Sequence, residues 1–272
     1  MAGEGSDMSP SATDRFVIAQ LSDLHCGDPR YDPRMLERVV DQINELSPDL
    51  VVVAGDLTVH GYRDEYDIAR AEIDRLECPQ VVVIPGNHDS RNVGYLHFTK
   101  LFGTRWDTRE LCFQSRHPAV GERVRVVSVD STKPDLNDGE LGRHRYEWLE
   151  EQLQGPPTFT IVAIHHHLVS IPGTGRERNV VLDAGDVLAI LNHYSVDLVL
   201  AGHRHVPYVW QVNGTLIVTS GTASTWRTRG ETPPSYNVVA VTPTHIEVSF
   251  IALDGTGATQ ESRFARNHLT EA

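Results

Sequence analysis

FVIAQL at Phe16–Leu21 runs without a break into SDLH at Ser22–His25. The first six residues are apolar except for Gln20, without the polar alternation of a strand that has one wet face. The segment is therefore expected to be a strand covered on both sides. A carboxylate and an imidazole come directly after it. In open α/β sheets, ligands collect beyond the carboxyl ends of the strands, so a strand that empties into Asp23 and His25 marks a candidate site.

The same arrangement recurs along the chain. Leu50 to Ala54 leads into Gly55-Asp56-Leu57, and Val81 to Pro85 into Gly86-Asn87-His88-Asp89. Phe159 to Ile164 leads into His165-His166-His167, and Leu198 to Ala201 into Gly202-His203-Arg204-His205. Val124 to Val129 is a further apolar run. Between these runs, Met35 to Leu46, Glu65 to Leu76, Arg143 to Leu153 and Ala184 to His193 carry apolar residues at helical spacing with charges opposite, as crossover helices do. After Gly202 come short strand candidates at Val206 to Val212, Thr215 to Thr219, Asn237 to Val241 and His245 to Ile251, with a turn at Asn213-Gly214. This β-rich last third is expected to form a second sheet packed on the first. The fold class is then α/β, a four-layer αββα sandwich of two mixed sheets flanked by helices. Residues 1–14 read as a disordered tail, 15–254 as one domain and 255–272 as a polar tail.

A chain of 272 residues with 40% hydrophobic content can bury an ample core. A net charge of -13 disfavours proteins that wrap nucleic acid or lie on anionic lipid, because no dense basic patch offsets it. An anionic substrate would need local positive charge, and bound divalent cations are a compact source. Cys26, Cys78 and Cys112 form neither a CxxC pair nor a disulfide framework. With no signal peptide and no run long enough to span a membrane, they point to the cytoplasm. A homodimer is compatible with the chain.

Carboxylate, imidazole and amide oxygen together suit borderline transition metals such as manganese, iron, zinc or cobalt better than hard calcium. In an extended strand, the alternate spacing of Asp23 and His25 puts both side chains on one side, and His203 and His205 share that spacing. Cys26 then points away.

The ordered blocks D-x-H, G-D, G-N-H-D, H and G-H-x-H, with Phe16 to Leu253 enclosing them, strongly resemble the calcineurin-like metallophosphoesterases. The resemblance implies that Asp23, His25, Asp56 and His205 hold one ion, and Asp56, Asn87, His166 and His203 the other, with Asp56 bridging. The pair would be two divalent or mixed-valence transition metal ions, manganese, iron or zinc. His88 would face the substrate and steady or protonate the leaving oxygen, with Asp89 orienting it. The family usually has Pro two residues after its ligand histidine. Here Leu168 takes that place, so His166 is preferred as the ligand, His165 is the alternative and His167 a supporting residue. Hydroxide formed between the ions would attack phosphorus in line.

Finer texture resembles class III cyclic nucleotide phosphodiesterases and related bacterial glycerophosphodiesterases. It lies in Gly61 and Glu65-Tyr66 after the second motif, Ser90-Arg91 after the third, and Asp130-Ser131-Thr132 ahead of Gly139 to Gly142 and Trp148-Leu149. The implied activity is a phosphodiesterase acting on a small-molecule phosphate ester, cyclic AMP among the candidates; a glycerophosphodiesterase or a broad phosphomonoesterase is the alternative. His60, Tyr95, Arg91, Arg204 and Arg227 are conceivable substrate contacts, and ordinary packing or surface roles are preferred for each. A non-catalytic scaffold of the same fold is disfavoured, because such proteins usually lose ligands and here they stand in place. A nuclease would want a positive track that the composition does not supply.

Overall fold

The computed structural model describes residues 14–156, 158–174, 180–229, 231–257 and 259–266. The expected N-terminal tail lies outside the described residues except for Asp14, as do residues 267–272.

The strands are β1 (Phe16–Leu21), β2 (Leu50–Val53), β3 (Val81–Val83), β4 (Asp107–His117), β5 (Gly121–Val129), β6 (Phe159–Ile164), β7 (Leu198–Ala201), β8 (Tyr208–Val212), β9 (Thr215–Thr219), β10 (Ser235–Val241), β11 (His245–Ala252) and β12 (Thr259–Ala265). The helices are α1 (Pro33–Leu46), α2 (Arg63–Ile73), α3 (Gly94–Phe102), α4 (Tyr146–Leu153) and α5 (Ala184–His193). One sheet has the order β12-β11-β10-β1-β2-β3 and the other β4-β5-β6-β7-β9-β8. Within each, the central strands run parallel, β1 to β3 and β5 to β7.

Alternation along each strand sorts its side chains between layers. Phe16, Ile18, Leu50, Val52, Val126, Ile161, Ala163 and Leu200 belong to the core between the sheets. Ala19, Leu21, Val51 and Val53 face α1, α2 and α3 with Met35, Val39, Tyr66 and Phe98. Val127, Val162, Ile164 and Val199 face α4 and α5 with Leu149, Val187 and Leu191. This is the expected four-layer αββα order. Helix α1 starts where Asp32 Oδ1 accepts from the N–H groups of Arg34 and Met35 and Pro33 takes the first turn.

The strands of the last third are shared between the two sheets instead of forming one of their own. β8 and β9 extend the sheet of β4 to β7, while β10 pairs antiparallel with β1 and carries β11 and β12 outward. The reason is that Val239 and Val241 face the core between the sheets alongside Phe16 and Ile18. Where a polar tail was expected from residue 255, β12 pairs with β11 from Thr259↔Ile251 to Ala265↔His245. Its polar residues are those of an edge strand with much of its surface in water.

Just beneath the end of β1, the buried Gln20 ties the sheets together. Its Nε2 donates to Ala201 O at 2.8 Å, and its Oε1 accepts from Asn237 Nδ2 at 2.9 Å. Among the described residues, no helix is long and apolar enough to cross a membrane.

Candidate metal centre

The parallel strands of both sheets end at one edge, and the loops after them meet there. Asp23 and His25 come after β1, Asp56 after β2, and Asn87 to Asp89 after β3; His165 to His167 come after β6, and His203 and His205 after β7. All of these side chains are buried.

Asp23 and His25 do not converge as neighbours on an extended strand. Asp23, His25, Asp56, His203 and His205 all have positive φ, at 55°, 47°, 54°, 76° and 57°. L-residues rarely adopt this left-handed region, which costs of order 1–3 kcal/mol each and survives where surrounding contacts over-determine it. Such contacts are present. Asp23 N donates to Gly55 O at 2.9 Å and His25 N to Asp56 O at 2.9 Å. His203 N donates to Asp23 Oδ2 at 3.0 Å. Glycine permits the close approach of the loops: a Cβ on Gly86 would collide with Asp56, and one on Gly202 with Ser22 and Asp23.

Three clusters result, each with its ligand atoms within 4.8 Å of one another: Asp23, His25 and His205; His25, Asp56 and His88; Asp56, His165 and His203. His25 Nε2 lies 3.0 Å from His205 Nε2 and 3.7 Å from both Asp23 Oδ1 and Asp56 Oδ2. Asn87 Oδ1 lies 3.0 Å from His203 Nδ1. Two rings have one nitrogen held as a donor away from the centre, which leaves the other nitrogen facing inward. His165 Nδ1 faces Ala54 O at 2.7 Å and His205 Nδ1 faces Arg227 O, so each ring nitrogen there donates to its carbonyl. His165 Nε2 and His203 Nε2 are buried without a hydrogen-bond partner. Leaving such atoms unsatisfied is costly, and a bound cation would satisfy both. The donor set of carboxylates, imidazoles and an amide fits a pair of divalent transition metal ions.

The electrostatics point the same way. Burial works to raise the Asp56 carboxyl, but the His165, His88 and His25 rings hold it well below the usual carboxylate range. Asp23 is lowered by His205 against the same opposing effect of burial. Burial disfavours charge on His165 too, yet the Asp56 carboxylate lifts its ring to about 9, so without metal this ring pairs as a cation with Asp56 Oδ2 at 3.4 Å, and a bound metal ion would have to displace that proton. Burial pushes His25 and His203 well down and His88 down, so these rings are neutral, as metal-binding imidazoles must be.

The histidine triplet is sorted by strand parity. Ile161 and Ala163 face the core between the sheets, and His165 continues that face into the cluster with Asp56 and His203. His166 falls on the other face. Its Nδ1 pairs with Ser131 Oγ at 2.8 Å and its Nε2 with Asn137 O at 3.1 Å, so both nitrogens are used within the protein. Burial, and then the charge of His165, lower its ring to about 3. His167 stacks on His203 with ring centroids 5.6 Å apart. The period-2 alternation that places His165 was present in the sequence; the comparison with the family's proline spacing pointed elsewhere.

His88 stands beside His25, ring centroids 4.6 Å apart, and its Nδ1 donates to Val59 O at 2.7 Å, leaving Nε2 toward the site. Asp89 does not orient it. Its carboxylate, 0% exposed, accepts from Leu57 N, Thr58 N, Thr58 Oγ1 and Gly86 N at 2.8–3.0 Å. It ties the loop after β2 to the loop after β3, with burial and the Asp56 charge pushing its carboxyl up to about 7. Sequence reasoning did not single out Asn137 or the carbonyls of Val59 and Arg227, since main-chain acceptors leave no signature in residue type.

Comparison with known proteins places the chain among phosphoesterases. The family described as calcineurin-like phosphoesterase matches residues 16–207. A probable cyclic nucleotide phosphodiesterase of Synechococcus sp. is 29% identical over 209 residues, covering 71% of this chain and 74% of the relative. A probable glycerophosphodiester phosphodiesterase of Arcobacter nitrofigilis is 28% identical over 224 residues, covering 77% and 79%. In fold, the chain is similar to a dimetal phosphatase from Danio rerio, with a TM-score of 0.66 at 16% identity over 92% of this chain and 98% of that one.

Proposed function

Because the chain belongs to the calcineurin-like phosphoesterase family, whose members are metal-dependent phosphoric ester hydrolases, we propose that it is a phosphodiesterase of the cyclic nucleotide type. The observation that carries the two-ion reading is that Asp56 is shared, standing in one cluster with His25 and His88 and in another with His165 and His203. A carboxylate between two imidazole groups is what a bridging ligand requires. In this reading Asp23, His25, Asp56 and His205 hold one ion, and Asp56, Asn87, His165 and His203 the other, with His165 in place of His166. Manganese, iron or zinc would suit the donors.

When bound, such ions supply Lewis acidity to the phosphoryl oxygens and acidify water that attacks phosphorus. The chain's own residues do the rest. Asp56 and Asp23 keep their negative charge at neutral pH and so fix where cations sit. His88, neutral with its proton held on Nδ1 by Val59 O, presents Nε2 as an acceptor that can take up a proton and then return it to the leaving oxygen. The left-handed backbone at the ligands keeps the donors in place before substrate arrives.

The choice of a cyclic nucleotide is supported by the activity named for the Synechococcus relative, and a glycerophosphodiesterase is the second reading, supported by the Arcobacter relative. The cytoplasm is the proposed compartment, in keeping with three free thiols. Hydrolysis of cyclic AMP, an acyclic phosphodiester and a phosphomonoester by manganese-reconstituted protein tests the assignment. Cyclic AMP should be cleaved fastest, and a monoester cleaved much faster than both diesters would overturn it.

A further inference from the structure

Arg91 lies just beyond the candidate ligands, on the loop after β3, and is not among them. Its Nη1 donates to Val59 O at 3.2 Å and its Nη2 to Asn137 Oδ1 at 2.7 Å. Both acceptors are shared with the centre: Val59 O also receives His88 Nδ1 at 2.7 Å, and Asn137 Oδ1 also receives Asn87 Nδ2 at 3.3 Å.

We infer that Arg91 is a positioning residue that fixes which end of the Asn87 amide faces the metal centre. Hydrogen-bond polarity dictates this. A guanidinium has donors, no acceptor, and stays charged at any working pH. Asn137 must therefore turn its oxygen, not its amino group, toward Arg91. Only a donor can then share that oxygen, so Asn87 offers its Nδ2 there. Asn87 Oδ1 is left on the opposite side, 3.0 Å from His203 Nδ1, and an amide coordinates a metal through oxygen. At the other arm, Arg91 and His88 Nδ1 share the two lone pairs of Val59 O, which braces the guanidinium against the loop after β2.

Asn137 is anchored for this task. Its main-chain carbonyl pairs with His166 Nε2 at 3.1 Å, and the same loop is pinned where Asp135 Oδ1 accepts from Asn92 N at 2.9 Å. Gly139 packs so closely that a Cβ there would stand 2.5 Å from His166. His166, whose ring lies against His203 with centroids 4.6 Å apart but whose nitrogens are both used within the protein, thus holds the loop that orients Asn87.

The inference rests on the proposed ligand assignment, and the test separates the two. Mn²⁺ alone is titrated into chelator-stripped full-length protein by calorimetry for wild type, Asn137→Ala, Asn137→Asp, Arg91→Ala and the Arg91→Ala/Asn137→Ala double variant. Supporting partners of metal ligands are worth roughly 10–100-fold in affinity. Asn137→Ala should weaken one of two Mn²⁺ ions by about that factor and leave the other unchanged. Asn137→Asp, which keeps an acceptor for both donors, should restore affinity to within about threefold, a recovery that simple bracing of the loop does not require. Arg91→Ala should weaken the same ion and, at saturating Mn²⁺, lower kcat with KM nearly constant. The double variant should be no worse than the weaker single one, because both residues act in one relay. Equal affinities for Asn137→Ala and Asn137→Asp, or Arg91→Ala binding both ions as tightly as wild type, would overturn the inference. Wild type failing to bind two Mn²⁺ ions would instead overturn the ligand assignment and the inference with it.

Discussion

His165→Ala and His166→Ala should fail in opposite ways. The two residues are adjacent, both 0% exposed, and differ only in the face of β6 that they continue. His166 makes two bonds from a neutral ring, to Ser131 Oγ and Asn137 O. Removing it orphans two acceptor or donor groups at about 1–3 kcal/mol each when buried. Ser131 is fully buried, whereas Asn137 lies in an exposed loop where water can replace the lost partner. The expected loss is therefore about 2–3 kcal/mol, roughly the cost for one buried group and little for the other. Urea unfolding of chelator-stripped protein measures it as a shift of midpoint at constant slope. Two Mn²⁺ ions should still bind, the one served by Asn87 more weakly because its supporting loop loses an anchor. His165→Ala loses its bond to Ala54 O and its buried pairing with Asp56, so one ion should be lost at micromolar Mn²⁺. The stoichiometry by atomic emission decides: His166→Ala binding one ion while His165→Ala binds two would refute the parity assignment outright.

Three further outcomes are set by the geometry. Asp56→Asn should lose metal at both positions, whereas His88→Ala should keep two ions by emission analysis and lose about 10²–10⁴ in kcat; a normal metal content in Asp56→Asn removes the bridging role. Asp89→Ala orphans four donors in the interior and should destabilise the fold by roughly 4 kcal/mol or more in urea, relief of repulsion with Asp56 offsetting only part; a stable variant with a selective loss of kcat would return Asp89 to the side of His88. Asp28 is held below its ordinary value of 3.8, burial opposing and its bonds to Arg30, with the Arg227 charge, prevailing. A depressed carboxyl pKa contributes stability above the unfolded value, and that stability is lost as pH falls below about 3.8. Asp28→Asn should flatten the acid limb of a stability curve, and an unchanged limb counts against the pairing.

The architecture was legible where burial dictated residue type. Strands β1, β6, β7 and β9 sit within their predicted limits, because a strand covered on both faces must be continuously apolar. The elements that escaped are those that water reaches. β4 (DTRELCFQSRH) and β12 (TQESRFA) are edge strands, whose charges protect an open edge and so resemble loop sequence. Helix α3 is nine residues long and begins at Gly94, too short for its period to stand out. At the centre, residue type and strand-end position indicated which side chains gather. What they could not give was the reason: positive φ at Asp23 and His203 is a backbone property that neither residue's chemistry requires. The role of Asp89 failed for a similar cause, since its partners are main-chain N–H groups of Leu57, Thr58 and Gly86.

The candidate ligands are split between the two sheets. Asp23, His25 and Asp56 come from the strand ends of one, and His165, His203 and His205 from those of the other, so the outer two clusters each draw on both. A pair of cations there would act as a clasp across the seam of the sandwich. Chelation would then do more than stop turnover: it would unfasten one edge, leaving Gln20 and its neighbours to keep the halves in register. Metal availability would thus set how readily the two halves part, making the protein's mechanical integrity and its chemistry respond to the same ions.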